Sequence, residues 1–208
     1  GSGAVINSQL TGATIMNIDI GGGTTKISIC RNGEIMGVTA LEIGARLISW
    51  DQNWKIRSLD KTGEYFAEKV GANFSIGSEA SKNKIEKIAA QMTGVLFAVI
   101  SQQKLEDEIK DLHRIPPLDW RGPIDAITFS GGVAEYFYGY GSNLQTDMGP
   151  IIAESLRDKL AKTNFTIKEP VESIRATVIG ASQYSSQLSG TTVFISPIES
   201  LPLRNIPV

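Results

Sequence analysis

The feature that most limits how this chain can fold is a pair of glycine clusters, each closing an apolar strand. Ile15-Met16-Asn17-Ile18-Asp19-Ile20 is apolar at most positions and runs into Gly21-Gly22-Gly23-Thr24-Thr25. Ile124-Asp125-Ala126-Ile127-Thr128-Phe129-Ser130 likewise runs into Gly131-Gly132. After the first cluster, Lys26-Ile27-Ser28-Ile29-Cys30-Arg31 alternates with period two, and Asn32-Gly33 separates it from a further run ending at Leu41. Asn-Gly between alternating runs signals a hairpin, because both central residues of a type I′ turn need positive φ. Strand, glycine turn, strand, tight turn, strand is a meander, and it excludes a strand-to-helix dinucleotide-binding opening here.

The rest of the chain alternates helices with strands. Apolar residues Ile85, Ile88, Ala89, Met92, Leu96, Val99, Ile100, Leu105, Ile109 and Leu112 recur at helical spacing over residues 81–112, with Gly94 a bend or break and Pro116-Pro117 a stop. Short strands are predicted at 54–57 and 164–168. A helix is predicted over 151–160, with Asp147 as N-cap and Pro150 in its first turn. A further helix over 173–187 and a strand over 191–195 complete an α/β pattern. Residues 1–14 read as a linker or cloning remnant, residues 15–208 as one lobe, and residues 50–115 within it as a mainly helical subdomain.

Composition narrows the function. With 20 Lys+Arg against 22 Asp+Glu and a net charge of -2, the chain lacks the basic footprint of a nucleic-acid binder. One Cys and one His leave no disulfide framework, no Cys/His zinc site and scarcely a Ser-His-Asp triad, and they fit a reducing, cytoplasmic compartment. No apolar run approaches the roughly 18 residues of a membrane span. Glycine is in excess, 21 of 208 residues, against an average near 7%.

The clusters carry the chemistry. Glycine backbones let N–H groups close on an anion, Thr24 and Thr25 add hydroxyls, and Asp19 is placed to hold Mg²⁺ through water or to orient an attacking water. Walker A needs Gly-Lys-Ser/Thr, and the chain has no Gly-Lys pair; G-x-G-x-x-G from Gly21 would need glycine at Lys26. Either cluster alone reads as a tight turn. Acid, three glycines, two threonines and the following hairpin together favour a phosphate site.

Asp19-Ile20-Gly21-Gly22-Gly23-Thr24-Thr25 with its hairpin resembles the second phosphate motif of the actin/Hsp70/sugar-kinase ATPase superfamily. Ile127-Thr128-Phe129-Ser130-Gly131-Gly132-Val133 resembles its adenosine motif, and Arg175-Ala176-Thr177-Val178-Ile179-Gly180-Ala181 stands where the last connecting helix belongs. Within the superfamily the chain is similar to the large reactivating factors of ethanolamine ammonia-lyase. The matching strings include Ile43-Gly44-Ala45-Arg46-Leu47, Asp147-Met148-Gly149-Pro150 and the ending Leu201-Pro202-Leu203-Arg204-Asn205-Ile206-Pro207-Val208. Ala45 departs from the family's Gly-Gly-Arg.

The resemblance implies an actin-like (ribonuclease H-like) α/β lobe: a mixed sheet with an antiparallel hairpin and flanking helices. It implies a chaperone-like ATPase that releases damaged cobalamin from an adenosylcobalamin enzyme, ethanolamine ammonia-lyase, in the cytoplasm or at a bacterial microcompartment. ATP or ADP with Mg²⁺ is the implied cofactor, with no cobalamin bound directly by this chain. Gly21, Gly22, Gly23, Thr24 and Thr25 would contact phosphates, Asp19 would serve Mg²⁺ and water, and Gly131 and Gly132 would lie beside adenosine. A second Asp-x-Gly-Thr loop is missing: Asp147-Met148-Gly149-Pro150 has the spacing, but Pro150 donates no N–H. The chain therefore reads as the C-terminal lobe of a longer protein, the first lobe missing, expected to bind nucleotide weakly and not to turn it over. A small-molecule kinase of the same superfamily and a non-hydrolysing interaction module are the alternatives.

Among the other residues, Lys82, Lys84 and Lys87 read as a solvated helix face, Cys30 as core and Arg46 as half of an ion pair. His113 reads as a helix C-terminal residue.

Overall fold

The structure is a computed structural model that describes residues 3–103, 107–141 and 146–170. Its centre is a five-stranded mixed sheet in the order β6-β3-β2-β1-β7. The meander is β1 (Ile15–Ile20), β2 (Thr25–Arg31) and β3 (Glu34–Leu41), all antiparallel neighbours. Asn32 and Gly33 have φ of 51° and 82°, the two positive values that the type I′ reading requires. β7 (Ala126–Ser130) lies parallel to β1 on its other side, and β6 (His113–Ile115) pairs antiparallel with β3. A single bridge, Ile127 to Ile167, continues the sheet beyond β7. A second sheet pairs β4 (Ile48–Trp50) with β5 (Ile56–Leu59).

Period two divides the main sheet into two unlike faces. Met16, Ile18, Ile20, Ile27, Ile29, Ile127 and Phe129 are buried on one face. They join one core with side chains of α2 (Lys61–Lys69), α3 (Lys82–Ile100), α5 (Gly132–Phe137) and α6 (Gly149–Leu160). A short α4 (Asp107–Lys110) leads into β6. The residues of 50–115 thus contribute to the same core as the sheet. The opposite face carries Ile15, Asn17 and Asp19. Its Ile15 end, with Cys30, is covered by α1 (Ala4–Thr11).

That helix corrects the reading of residues 1–14 as linker. It is bracketed by Gly3 and Gly12 at positive φ, and Ser8 Oγ accepts the Gly33 N–H at 3.0 Å, tying the helix to the hairpin turn. Cys30 is buried as expected, and burial pushes its thiol pKa up.

Several boundaries differ from the pattern reading. α3 runs through Gly94 without a break and ends at Ile100, and His113 lies in β6 opposite Leu41, not at a helix end. α6 begins at Gly149 with Met148 as its cap, while Asp147 still accepts the Gly149 N–H at 2.8 Å. The strand expected at 54–57 is shifted to β5, and α2, which contains Gly63, is not among the helices predicted from the sequence. In fact Asp60 caps this helix by accepting the Thr62 N–H at 3.0 Å. Gly63 is there because a Cβ would stand 2.5 Å from the Leu47 carbonyl oxygen. The helix and strand expected at 173–187 and 191–195, the Arg175-to-Ala181 string and the C-terminal string lie outside the described residues. Among the described residues no helix is long and apolar enough to cross a membrane.

Tyr138, just after α5, clamps the far edge. Its hydroxyl accepts the Phe129 N–H and donates to the Lys168 carbonyl, both at 2.9 Å, and burial pushes its pKa up to about 12.

Two expectations follow. Gly63→Ala forces backbone apart and lowers unfolding stability in urea by about 1–3 kcal/mol, the usual cost of overpacking. Tyr138 keeps its proton in the fold at a pH where the unfolded chain releases it. Its contribution is therefore complete below pH 10 and lost as pH rises towards 12. Thermal unfolding followed from pH 9 to 12 falls more steeply for the wild type than for Tyr138→Phe.

Candidate functional site

The polar face of the sheet gathers its groups where β1 and β7 end. The parallel register sets Asn17 beside Thr128 and Asp19 beside Ser130. Their side chains form one hydrogen-bond chain. Thr128 Oγ1 donates to Asn17 Oδ1 at 3.0 Å, Asn17 Nδ2 donates to Ser130 Oγ at 3.2 Å, and Ser130 Oγ donates to Asp19 Oδ2 at 3.1 Å. Asn17, Thr128 and Ser130 are 7%, 1% and 0% exposed, so each depends on these partners in place of water. The direction of donation is consistent throughout. Asn17 spends its amide N–H on Ser130, Ser130 spends its only proton on Asp19, and the chain ends on a carboxylate oxygen acting purely as acceptor.

Gly131 completes the turn at β7. Its φ is +80°, and a Cβ there would stand 2.6 Å from the Ile20 carbonyl oxygen and 2.8 Å from Asp19 Oδ1. Glycine is thus what lets the Asp19 carboxylate sit against β7. Gly132 opens α5, is exposed, and has nothing within 4 Å of its Cβ position.

The 21–24 turn is held from below. Gly21 N–H donates to the Thr24 carbonyl at 2.9 Å, Ala45 N–H to the Gly21 carbonyl at 2.9 Å, and Arg46 N–H to the Gly22 carbonyl at 2.6 Å. A Cβ on Gly44 would stand 2.5 Å from the Gly22 oxygen, so Gly44 is fixed by close approach of two backbones. Gly21, Gly22 and Gly23 are not at positive φ. A Cβ on Gly23 meets nothing within 4 Å, and one on Gly22 meets only the flexible Arg46 side chain at 3.4 Å. Among the described residues, the Gly22 and Gly23 N–H groups have no intramolecular acceptor.

Of the residues singled out in the sequence, Asp19 and Gly131 are in direct juxtaposition, and residues 21–24 adjoin them along the chain. Thr25 is a correction: it is fully buried, and its hydroxyl donates to the Ile43 carbonyl at 2.7 Å, so it is not a phosphate donor. Arg46 does form an ion pair, at 3.7 Å to Asp147, with its side chain 78% exposed. Lys82 pairs with Glu86 at 3.9 Å on the exposed face of α3. Sequence reasoning missed Asn17, Thr128, Ser130 and Gly44. The available signal was the period-two recurrence of polar residues, 17 and 19, then 128 and 130, inside runs otherwise apolar.

Among the described residues no three His, Cys, Asp or Glu side chains could together hold a metal ion. Asp19 alone, with Oδ1 uncommitted, suits a Mg²⁺ that takes most of its ligands from phosphate and water.

A mixed sheet with an oriented carboxylate and two glycine turns at adjacent parallel strand ends makes this an α/β lobe whose polar residues converge at the strand ends. In comparison with known proteins, the family model of ethanolamine utilisation protein EutA matches residues 1–208, and the chain belongs to that family. It is 28% identical over 210 residues to the ethanolamine ammonia-lyase reactivase EutA of Salmonella typhimurium, and 30% identical over 213 residues to that of Escherichia coli. All of this chain is matched in both cases, and it spans 44% of the length of each relative. Among solved structures it is similar to MreB5 of Spiroplasma citri bound to AMPPNP, at 14% identity and a TM-score of 0.47, over 90% of this chain and 57% of that one.

Asn17→Leu leaves the Thr128 and Ser130 hydroxyls without their shared partner. It is expected to lower stability by about 1–3 kcal/mol in chemical unfolding, the cost of stranding buried polar groups.

Proposed function

We propose that this lobe binds the phosphates of ATP or ADP, as the C-terminal part of a factor that reactivates ethanolamine ammonia-lyase by releasing its damaged cobalamin. Family membership and the similarity to two reactivases support the target enzyme as partner. The nucleotide reading rests on one observation above all: the fold does not require the glycines at 22 and 23. Their backbone is within reach of ordinary residues, their Cβ positions are open to space or to a flexible side chain, and their N–H groups are uncommitted. Glycine at such places keeps a surface clear for close approach of something outside the chain, and free N–H groups beside that space suit an anion. A reading of both clusters as mere turns explains Gly131 but leaves Gly23 without a reason.

In this reading Gly22, Gly23 and Thr24 take phosphate oxygens, and Gly131 and Gly132 lie beside the adenosine. Asp19, fixed by Ser130, presents Oδ1 to a water or to Mg²⁺. The metal, when bound, neutralises phosphate charge. The residues here position and orient; donors from one side leave phosphates open to water, so this lobe alone binds weakly and does not turn nucleotide over. Cobalamin is contacted by the lyase and not by this chain, and the factor works in the cytoplasm or at a microcompartment.

The test uses Gly23→Val, at a position where an added Cβ meets nothing within 4 Å and the backbone is not at positive φ. Thermal unfolding should stay within a degree or two of wild type, while titration with a fluorescent ATP analogue and Mg²⁺ should show binding weakened about tenfold or more, roughly 1.4 kcal/mol. Asp19→Asn, whose amide oxygen can still accept the Ser130 proton, should do likewise, and in the full-length protein both should abolish ATP-dependent recovery of cobalamin-inactivated lyase. Unchanged titration and unchanged recovery in both variants would leave the clusters as turns and sink the proposal.

A further inference from the structure

The antiparallel register of β1 and β2 sets Lys26 directly opposite Asp19. Side chains so placed emerge on the same face with Cβ atoms about 4.5–5.5 Å apart, close enough for an ordinary cross-strand ion pair. No such pair forms: among the described residues Lys26 has no ion-pair partner, and its side chain is exposed. The reason lies on the other side of Asp19. Ser130, itself held by Asn17, binds Asp19 Oδ2 at 3.1 Å and keeps the carboxylate towards β7. Gly131 leaves room for it there, since any Cβ would stand 2.8 Å from Asp19 Oδ1. The carboxylate is therefore anchored away from β2, and the ammonium opposite is left uncompensated.

Lys26 is also the first side chain of β2 on this face after the glycine turn, because Thr25 points into the core and spends its hydroxyl on Ile43. On its far side it has Ala40, a side chain too small to cover it. An anion resting on the Gly22 and Gly23 N–H groups beside Asp19 lies within the sweep of this lysine's four-carbon stem. The chain has no Gly-Lys pair within the turn. Here the cation reaches the same place across the hairpin.

We propose that Lys26 contacts the terminal phosphate of a nucleoside triphosphate at the 21–24 turn, and that the Asn17–Ser130–Asp19 chain keeps it free to do so. This rests on the nucleotide reading above. Lys26 supplies a positive charge where the terminal phosphate carries its extra negative charge, so it separates triphosphate from diphosphate.

The experiment titrates the full-length protein as wild type, Lys26→Met, Lys26→Arg and Gly23→Val with ATP and ADP, each displacing a fluorescent analogue in the presence of Mg²⁺. Lys26→Met should weaken ATP about tenfold and ADP by less than about twofold, with Lys26→Arg recovering most of the loss. As an independent readout, an ATP acyl-phosphate, which acylates a lysine amine beside the phosphates, should label Lys26 and be blocked by excess ATP. If Lys26→Met binds both nucleotides as wild type does while Gly23→Val binds both about tenfold or more weakly, the nucleotide reading stands and the role of Lys26 is overturned. Equal losses of ATP and ADP, or labelling confined to other lysines, overturn it as well. A wild type that binds no nucleotide removes both readings together.

Discussion

The parallel register of β1 and β7, which sets Asn17 beside Thr128 and Asp19 beside Ser130, is the constraint from which the strand-end arrangement follows. It is fixed from both faces. On one, Met16, Ile18, Ile20, Ile127 and Phe129 enter the core. A slip of one residue would drive Asn17 and Asp19 into that core and expose the isoleucines. On the other, the Asn17 amide accepts from Thr128 and donates to Ser130. The network is satisfied at every buried member, the condition under which a polar cluster in low dielectric rigidifies a site and does not weaken it. What reaches the surface is a single carboxylate with one oxygen committed and one uncommitted.

That outcome ties the core to the chemistry. The Asp19 carboxylate points where it does because β7 supplies Ser130 and because Gly131 has no side chain. Among the described residues the Lys26 ammonium has no ion-pair partner, and the carboxylate opposite it is held by Ser130. Opposite charges facing each other across two strands would ordinarily neutralise one another, and a site built on them would meet an anion with no net charge to offer. In the proposed reading, holding the acid to one side lets the same few residues present a negative oxygen and a positive nitrogen to different parts of one ligand.

Much of this was legible in the sequence. The meander followed from period-two alternation and Asn32-Gly33, since those signals are local and the backbone conformations they require are found in place. The strand ends and the acid before the turn were equally plain. Less legible were elements whose reason is a contact distant in sequence. Gly63 reads as punctuation until Leu47 is found against it, and α1 reads as linker until Ser8 is seen holding the Gly33 N–H. His113 follows a helical pattern but is taken by Leu41 as the edge partner of β3. Thr25 has the same composition-level signal as Thr24, and only the alternation of β2 sends one inward. The polar chain from Thr128 to Asp19 joins residues 111 apart, a spacing that no window on the sequence contains.

The glycines divide by the same physical test, and the division bears on function. Gly44, Gly63 and Gly131 are explained by the chain itself, since each would place a Cβ 2.5–2.6 Å from a carbonyl oxygen. Gly23, Gly132 and the mid-helix Gly94 are not: none adopts positive φ, and none would meet an atom within 4 Å. At a position of that kind alanine ordinarily stabilises a protein by about 0.4–1 kcal/mol, because it restricts the unfolded chain. Stability therefore supplies no reason for glycine at the two strand-end positions, Gly23 and Gly132. In the nucleotide reading proposed above, the reason at the strand ends is a ligand that must come closer to these two backbones than a methyl group allows. Both positions flank Asp19, one at the end of β1 and one at the end of β7, so a single ligand spanning the two strand ends accounts for both.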